Sequence, residues 1–311
     1  MRAAAIQLEA VAADVDANLA ACERLADAAG AAGARLIALP EFFTTGIGFL
    51  PELADCALPP DGRATQLLTT LARRHGAMVG GSFLCRDGDG DIRNAYLIAT
   101  PEGIAGRHDK DLPTMWENAF YVGGHDDGII RAGGLTVGAA VCWELMRTQT
   151  VRRLAGRIDL AMTGSGWWSI PEWPPATVMR RIEMRNAATA RLAAEAFATY
   201  VGAPVVHAAH AGRLRCAMPW MPLPYEGHFE GATVIVAADG TVLASREWSE
   251  GEGVVAADVE PGRATPRARA PRRFWLHHRG AIAAFTWSYQ RIHGRRWYRR
   301  HVANGRRRQR S

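Results

Sequence analysis

The chain has 311 residues, 48% hydrophobic and 22% charged, the balance of a globular protein and not of a disordered or fibrous one. No apolar run nears the ~18 residues needed to span a bilayer, and the N-terminus carries no charged-then-apolar leader, so the expected location is cytoplasmic. Five scattered cysteines without a C-x-x-C pair argue against a disulfide framework or a zinc site, and of 37 basic residues only Lys110 is a lysine.

In chain order, Leu19, Cys22, Leu25, Ala26 and Ala29 recur at helical spacing and predict a helix over 16–29, ended by Gly30 and Gly33. The apolar run 35–40 reads as a short buried strand that delivers Glu41 at its far end. Comparable runs cover 77–83, 95–99, 135–142, 158–163, 203–209 and 233–237, the last turning through Ala238-Asp239-Gly240 into 241–244 as a hairpin. Helices are expected over 65–74, near 149–155 and across 175–200, and their alternation with strands indicates an α/β or α+β sandwich. Composition shifts at Pro261. The stretch 263–271 is rich in Arg, Ala and Pro and reads as a linker, and fifteen arginines without one acid follow Glu260, so the net +6 divides into a body of −9 and a tail of +15. The division is therefore a body over 1–260 and an Arg-rich extension over 261–311, closed by the basic cluster Arg306 to Arg310.

Cys142 ends a strand-like run and is followed by Trp143. A nucleophile placed where a strand turns is open to substrate, while the next backbone N–H can face a developing oxyanion. A buried structural thiol is the alternative for any lone cysteine. Glu41 also ends a buried strand, and Lys110 lies in the charged loop Asp109-Lys110-Asp111-Leu112. A thiol beside an ammonium is more readily ionised, and a carboxylate can take its proton and later activate water. A pocket that needs a compact ammonium would also explain why Lys110 alone is not Arg.

Taken together, Leu39-Pro40-Glu41-Phe42-Phe43, the stretch 107–112 and Gly138-Ala139-Ala140-Val141-Cys142-Trp143-Glu144 resemble the nitrilase superfamily of carbon–nitrogen hydrolases in order and spacing. The likeness runs from Ala3 to Gln7 through the strands at 229–232 and 253–258. It implies a four-layer αββα sandwich with Cys142 as nucleophile, Glu41 as general base, Lys110 as cationic stabiliser and no metal or organic cofactor. Glu117, seven residues after Lys110, resembles a second glutamate that orients the lysine and the substrate nitrogen. The family's Arg-Ala-x-Glu-Asn stretch has two rival alignments here, 180–186 and 191–195. Two aromatic and proline-rich segments, 166–171 with Trp167 and Trp168, and 219–225, either border the pocket or pack on the surface. The implied reaction is cleavage of a small amide to acid plus ammonia or amine through a Cys142 thioester. The alternatives are nitrile hydrolysis, acyl transfer to an amine, and a catalytically dead body whose tail binds nucleic acid or anionic lipid. Phe274, Trp275, Trp287 and Tyr289 of the tail are read as crossing to the acidic body of a partner subunit, since family members commonly form homodimers or larger homo-oligomers. Neither a membrane nor nucleic acid is the expected partner.

Overall fold

The computed structural model describes residues 1–221, 223–277 and 280–303; Pro222 and the basic cluster Arg306 to Arg310 lie outside the described residues. Strand β1 (Arg2–Leu8) is buried on both faces beyond its first residue, as a near-continuous apolar run between two layers must be. Helix α1 (Val15–Ala31) starts at Asp14, whose carboxylate accepts the Ala17 N–H at 3.0 Å, and it buries the face that the spacing predicts. It does not stop at Gly30. The helix runs through that residue because the missing side chain lets α1 lie on the His75 ring, which an added Cβ would meet at 2.3 Å. Then come β2 (Leu36–Ala38), α2 (Arg63–His75), β3 (Met78–Arg86), β4 (Ile92–Thr100) and β5 (Gly103–Asp109). The second half contains β6 (Ile129–Ala132), β7 (Leu135–Val141), α3 (Thr148–Leu154), β8 (Leu160–Ser165), α4 (Ala176–Val201) and β9 (Val205–His210). A separate hairpin of β10 (Arg213–Cys216) and β11 (Tyr225–His228) precedes β12 (Gly231–Val236), β13 (Val242–Glu247) and β14 (Gly253–Asp258).

The strands form two halves, β14-β1-β2-β3-β4-β5 and β6-β7-β8-β9-β12-β13, joined where Gln7 and Leu8 of β1 pair with Ala209 and His210 of β9. Successive residues of a strand point to opposite faces. Ala3 and Ala5 accordingly enter the core between the halves with Val137, Ala139, Leu160 and Val206, while Ala4 and Ile6 pack under α1 and α2. On the far side, Ala161, Val205 and Val234 pack under α3 and α4. The layer order is α-β-β-α, the four-layer sandwich that the resemblance implies. Small residues dominate the facing positions of β1, so the two halves close tightly there; each larger aliphatic side chain buried beside them contributes about 1.5–3 kcal/mol relative to exposure.

The extension packs on its own chain. The Ala264 N–H reaches the Gly202 carbonyl at 2.8 Å, the Arg267 N–H reaches Thr199 at 2.9 Å, and the Arg263 guanidinium reaches Asp159 at 3.0 Å. A helix that the sequence reading lacks, α5 (Gly280–Trp297), follows. Tyr298 then anchors the end by accepting the Ile92 N–H and donating to Asp91, at 3.0 and 2.9 Å. Trp275 and Trp287, read as reaching a partner, instead stand 5.5 and 5.4 Å from the Trp143 ring of the same chain. Tyr289 donates to the Trp220 carbonyl at 3.4 Å, and Phe274 remains exposed. Among the described residues, no helix is long and apolar enough to cross a membrane.

Candidate active site

Three strand ends bring Glu41, Lys110 and Cys142 together. Glu41 lies just beyond β2, Lys110 directly follows β5, and Cys142 directly follows β7. In open α/β sheets the crevice beyond the carboxyl ends of the strands is where ligands bind. Lys110 is not a surface loop residue: its N–H still pairs with the Asn94 carbonyl at 3.0 Å, its side chain is fully buried, and the acids on either side are taken up by Arg107 and Arg147.

The Lys110 ammonium donates to Glu41 Oε1 and to Glu117 Oε2, both at 2.8 Å. Burial acts against its charge, but the carboxylates of Glu117 and Glu41 outweigh that and hold it above the ordinary lysine range. Glu41 is fixed at both oxygens. Asn94 Nδ2 donates to Oε1 and the Gly166 N–H to Oε2, each at 2.8 Å, and His210 Nε2 donates to the Glu41 backbone carbonyl at 2.6 Å. The end of β8 can come this close because position 164 is glycine, where a Cβ would lie 2.8 Å from the Glu41 nitrogen. Glu117 Oε2 also accepts the Thr114 N–H at 2.8 Å and the Tyr121 hydroxyl, whereas its Oε1 is buried without a hydrogen-bond partner among the described residues. Burial pushes the Glu117 carboxyl up to about 7 against the pull of Lys110, and Glu41 adds to the rise.

Cys142 opens a tight turn with φ of +54°, a left-handed conformation that costs roughly 1–3 kcal/mol in a residue with a side chain. The turn is held by Glu144, whose Oε2 accepts the Val141 N–H at 2.8 Å and whose Oε1 accepts the Asp111 N–H at 3.0 Å. One carboxylate thus ties the residue before Cys142 to the residue after Lys110. His108 completes this tie by donating from Nε2 to Glu144 at 2.8 Å and from Nδ1 to Asp126 at 2.5 Å. Burial opposes the imidazolium, but Glu144 and Asp126 prevail and push His108 up to about 10.

The thiol itself departs from the sequence expectation of ready ionisation. Burial raises Cys142 well above the ordinary thiol range, the Glu41 carboxylate adds to the rise, and Lys110 only opposes it. The ammonium is already shared by two carboxylates, so Cys142 rests as a protonated thiol beside the Glu41 carboxylate.

Cys142 lies on the wall of a cavity of about 640 Å³, where it is 2% exposed. Trp143, Trp167 and Trp168 line the same cavity, with the Trp143 and Trp167 ring centroids 5.7 Å apart and Trp168 stacked on Trp116 at 4.4 Å. Of the two proline-rich segments, 166–171 forms part of the wall; in the other, Met221 and Tyr225 line the cavity while Trp220 packs on Phe49. The alignment over 180–186 is the one that faces the site. Asn186 accepts the Trp167 indole N–H at 3.1 Å and donates to the Trp168 carbonyl at 3.2 Å, and Glu183 accepts the Ile170 N–H at 2.5 Å. Glu230, beside Glu183, is pushed up to about 9 by burial and by that neighbouring carboxylate. Glu183, His228 and Glu230 are the grouping among the described residues whose ligand atoms lie within 4.8 Å of one another, but Glu183 holds Ile170, Glu230 holds Asn186 and the His228 ring stacks on Trp248 at 4.5 Å. Arg191, in the rival alignment, pairs with Glu247 at the surface, 3.2 Å away.

Asn94, His108, Tyr121, Glu144 and Gly166 were not singled out in the sequence. Two signals were available: Asn94 is a polar residue heading an apolar strand run, and Glu144 sits third in its turn, as Glu117 does, where a carboxylate reaches back to a backbone N–H.

A model of the carbon-nitrogen hydrolase family matches residues 2–269. The chain is 28% identical over 160 residues to a nitrilase from Pyrococcus abyssi and 31% identical over 176 residues to an aliphatic nitrilase from Sinorhizobium fredii. These matches cover 50% and 47% of this chain but only 60% and 55% of the relatives, so the chain spans little more than half the length of the curated relatives it matches. The solved structure of an amidase from Nesterenkonia sp. superposes with a TM-score of 0.63 at 21% identity, over 88% of this chain and 93% of that one, which is a likeness of fold.

Proposed function

Because the chain belongs to the carbon-nitrogen hydrolase family, in the nitrilase superfamily, we propose that it cleaves an amide to acid plus ammonia or amine through a Cys142 thioester. The observation that carries this reading is a thiol on the cavity wall within the electrostatic reach of Glu41, with the Lys110 ammonium bridging Glu41 and Glu117 beside it.

Since the thiol rests protonated, Glu41 takes its proton as the sulfur attacks the carbonyl carbon and the S–C bond forms. The oxyanion gathers on Lys110 and the Trp143 N–H, and such a donor is typically worth ~10²–10³ in turnover. Glu41 then passes the proton to the leaving nitrogen as the C–N bond breaks, which leaves the thioester. Water, deprotonated by Glu41, attacks that carbon; the C–S bond breaks and the sulfur recovers the proton. Glu117 keeps Lys110 aimed, and its unpartnered Oε1 is available to an N–H of the substrate. Amide cleavage needs no acid beyond the proton that Glu41 has already collected.

Nitrile hydrolysis is the second reading, favoured by the two nitrilase relatives. There the S–H would add across the C≡N bond, two waters would follow in turn, and Glu117, near 7, suits proton supply to the nitrogen. Ammonia release from a panel of amides and nitriles, with the wild-type chain and with Cys142→Ala, tests both readings. Release that persists in the alanine variant would remove the nucleophile and the reading with it.

A further inference from the structure

The cavity beside Cys142 is far larger than a short acyl chain requires, since pockets of roughly 300–1,000 Å³ enclose whole drug-sized ligands and this one holds about 640 Å³. Its walls are flat and apolar. Trp116, Trp168 and Tyr225 form one continuous aromatic surface, with Trp168 stacked on Trp116 at 4.4 Å and Tyr225 edge-on to it at 5.3 Å. Met115, Met179 and Met218 fill the spaces between such rings with polarizable, adaptable side chains. Among the described lining residues, Arg185 is the one charged side chain, and it is exposed. Being exposed, Arg185 could offer an anionic acyl group only a solvent-screened partner, and burying a charge away from it against the apolar walls is strongly unfavourable.

Part of the cavity wall comes from the extension. Phe285, Thr286, Tyr289 and Gln290 of α5 line the cavity, and Gln290 is buried with its amide oxygen unpaired among the described residues. Trp287 of the same helix stacks on Trp143, the residue after Cys142, at an interplanar angle of 3°, with the Arg147 guanidinium over the Trp287 ring. Helix α5 therefore both bounds the cavity and buttresses the residue next to Cys142.

We propose that this cavity selects an uncharged, flat aromatic acyl group, an arylalkyl amide or nitrile, and that α5 sets how long that group can be. Resting on the hydrolase reading above, the inference adds the substrate class and the element that defines it. An aromatic ring entering the cavity stacks or meets edge-on the rings of Trp116, Trp168 and Tyr225. An acetyl group would leave most of the space to water against indole faces. A ring that presents an O–H or N–H to α5 also satisfies the buried Gln290 oxygen.

The test compares acetamide, phenylacetamide, 4-hydroxyphenylacetamide and an anionic carboxylate-bearing amide of similar length as substrates of the full chain. Hydrophobic pockets discriminate by about 10–200-fold per methylene-sized difference, so phenylacetamide should exceed acetamide by about 100-fold or more in kcat/KM, and the anionic amide should fall below phenylacetamide by at least about tenfold. Thr286→Trp, which fills the cavity from α5, should shrink the aromatic-to-acetamide ratio by about tenfold or more. Calorimetric binding of the same amides to Cys142→Ala reads selection without chemistry. If no amide or nitrile is hydrolysed but the aryl amides bind this variant more tightly than acetamide, the substrate class stands and the hydrolase reading fails. If hydrolysis occurs with acetamide or the anionic amide preferred, or if Thr286→Trp leaves the ratio unchanged, the inference is overturned while the hydrolase reading stands.

Discussion

Lys110→Arg keeps the charge at the site and changes only its shape. The Lys110 ammonium has no exposed surface and meets Glu41 and Glu117 at the same 2.8 Å, so it occupies a socket two hydrogen bonds wide. A guanidinium is a broad planar fork and cannot enter without pushing Glu41 off Asn94 and Gly166 or Glu117 off Thr114 and Tyr121. Losing one oxyanion donor, the role proposed for Lys110, costs ~10²–10³ in turnover, roughly 3–4 kcal/mol of barrier, and misplacing the proposed general base Glu41 costs more. The variant should therefore fall at least ~10² in kcat/KM for its best amide while staying folded, its stability lowered by an overpacking cost of about 1–3 kcal/mol. Lys110→Ala separates the two effects. It leaves two carboxylates facing each other in the interior, which typically destabilises by about 3–5 kcal/mol, so it should lose both activity and thermal stability. Steady-state kinetics and a melting curve on the same preparations check both. Retention of more than about a tenth of wild-type kcat/KM by Lys110→Arg, a loss under roughly 1.4 kcal/mol, would refute the compact-cation argument.

Three further outcomes follow from the geometry. The folded chain binds the His108 proton more tightly than the unfolded one, so its stabilisation is complete below about 6.5 and is lost as pH rises through about 10; denaturant titrations of wild type and His108→Gln should show that alkaline slope only in the wild type. Glu117 orients Lys110 as a carboxylate, so kcat/KM should drop on the acid side of about 7, and the limb should vanish in Glu117→Gln, measured as a pH–rate profile. Truncation after Pro261 removes the α5 wall and the Trp287 stack on Trp143, with an expected loss of at least about tenfold in kcat/KM; light scattering of the same variant shows whether the extension also holds copies together, a lowered mass supporting the oligomer reading and an unchanged one opposing it.

Much of the sandwich was legible because its strands are buried on both faces and so read as short apolar runs, and because α1 carries its apolar residues at helical spacing. The three candidate positions, Glu41, Lys110 and Cys142, stood out for a local reason, two strand ends and one lysine among many arginines. Their supports did not. Asn94, Glu144 and Gly166 reach partners 53, 36 and 125 residues away, and no local pattern reports such a pairing. How far the lysine eases ionisation of Cys142 was not legible for a related reason: a sequence shows that a lysine is present, but not that two carboxylates already share its charge. Helix α5 was hidden because its Arg, His and aromatic residues are spread around the helix, so no apolar stripe marks it. Gly30 misled in the opposite sense, since its role is close helix packing and not termination.

The proposed chemistry is covalent: the acyl group passes through Cys142. Rapid acid quench of the wild-type chain during turnover of an aryl amide, followed by intact-mass and peptide mass spectrometry, measures this directly. The account predicts a mass increase equal to the acyl group on the peptide containing Cys142, more of it in Glu41→Gln if deacylation slows more than acylation, and none in Cys142→Ala. Product formation by Cys142→Ala at the wild-type rate, or an acyl adduct confined to Cys56 or another of the four remaining thiols, would contradict it.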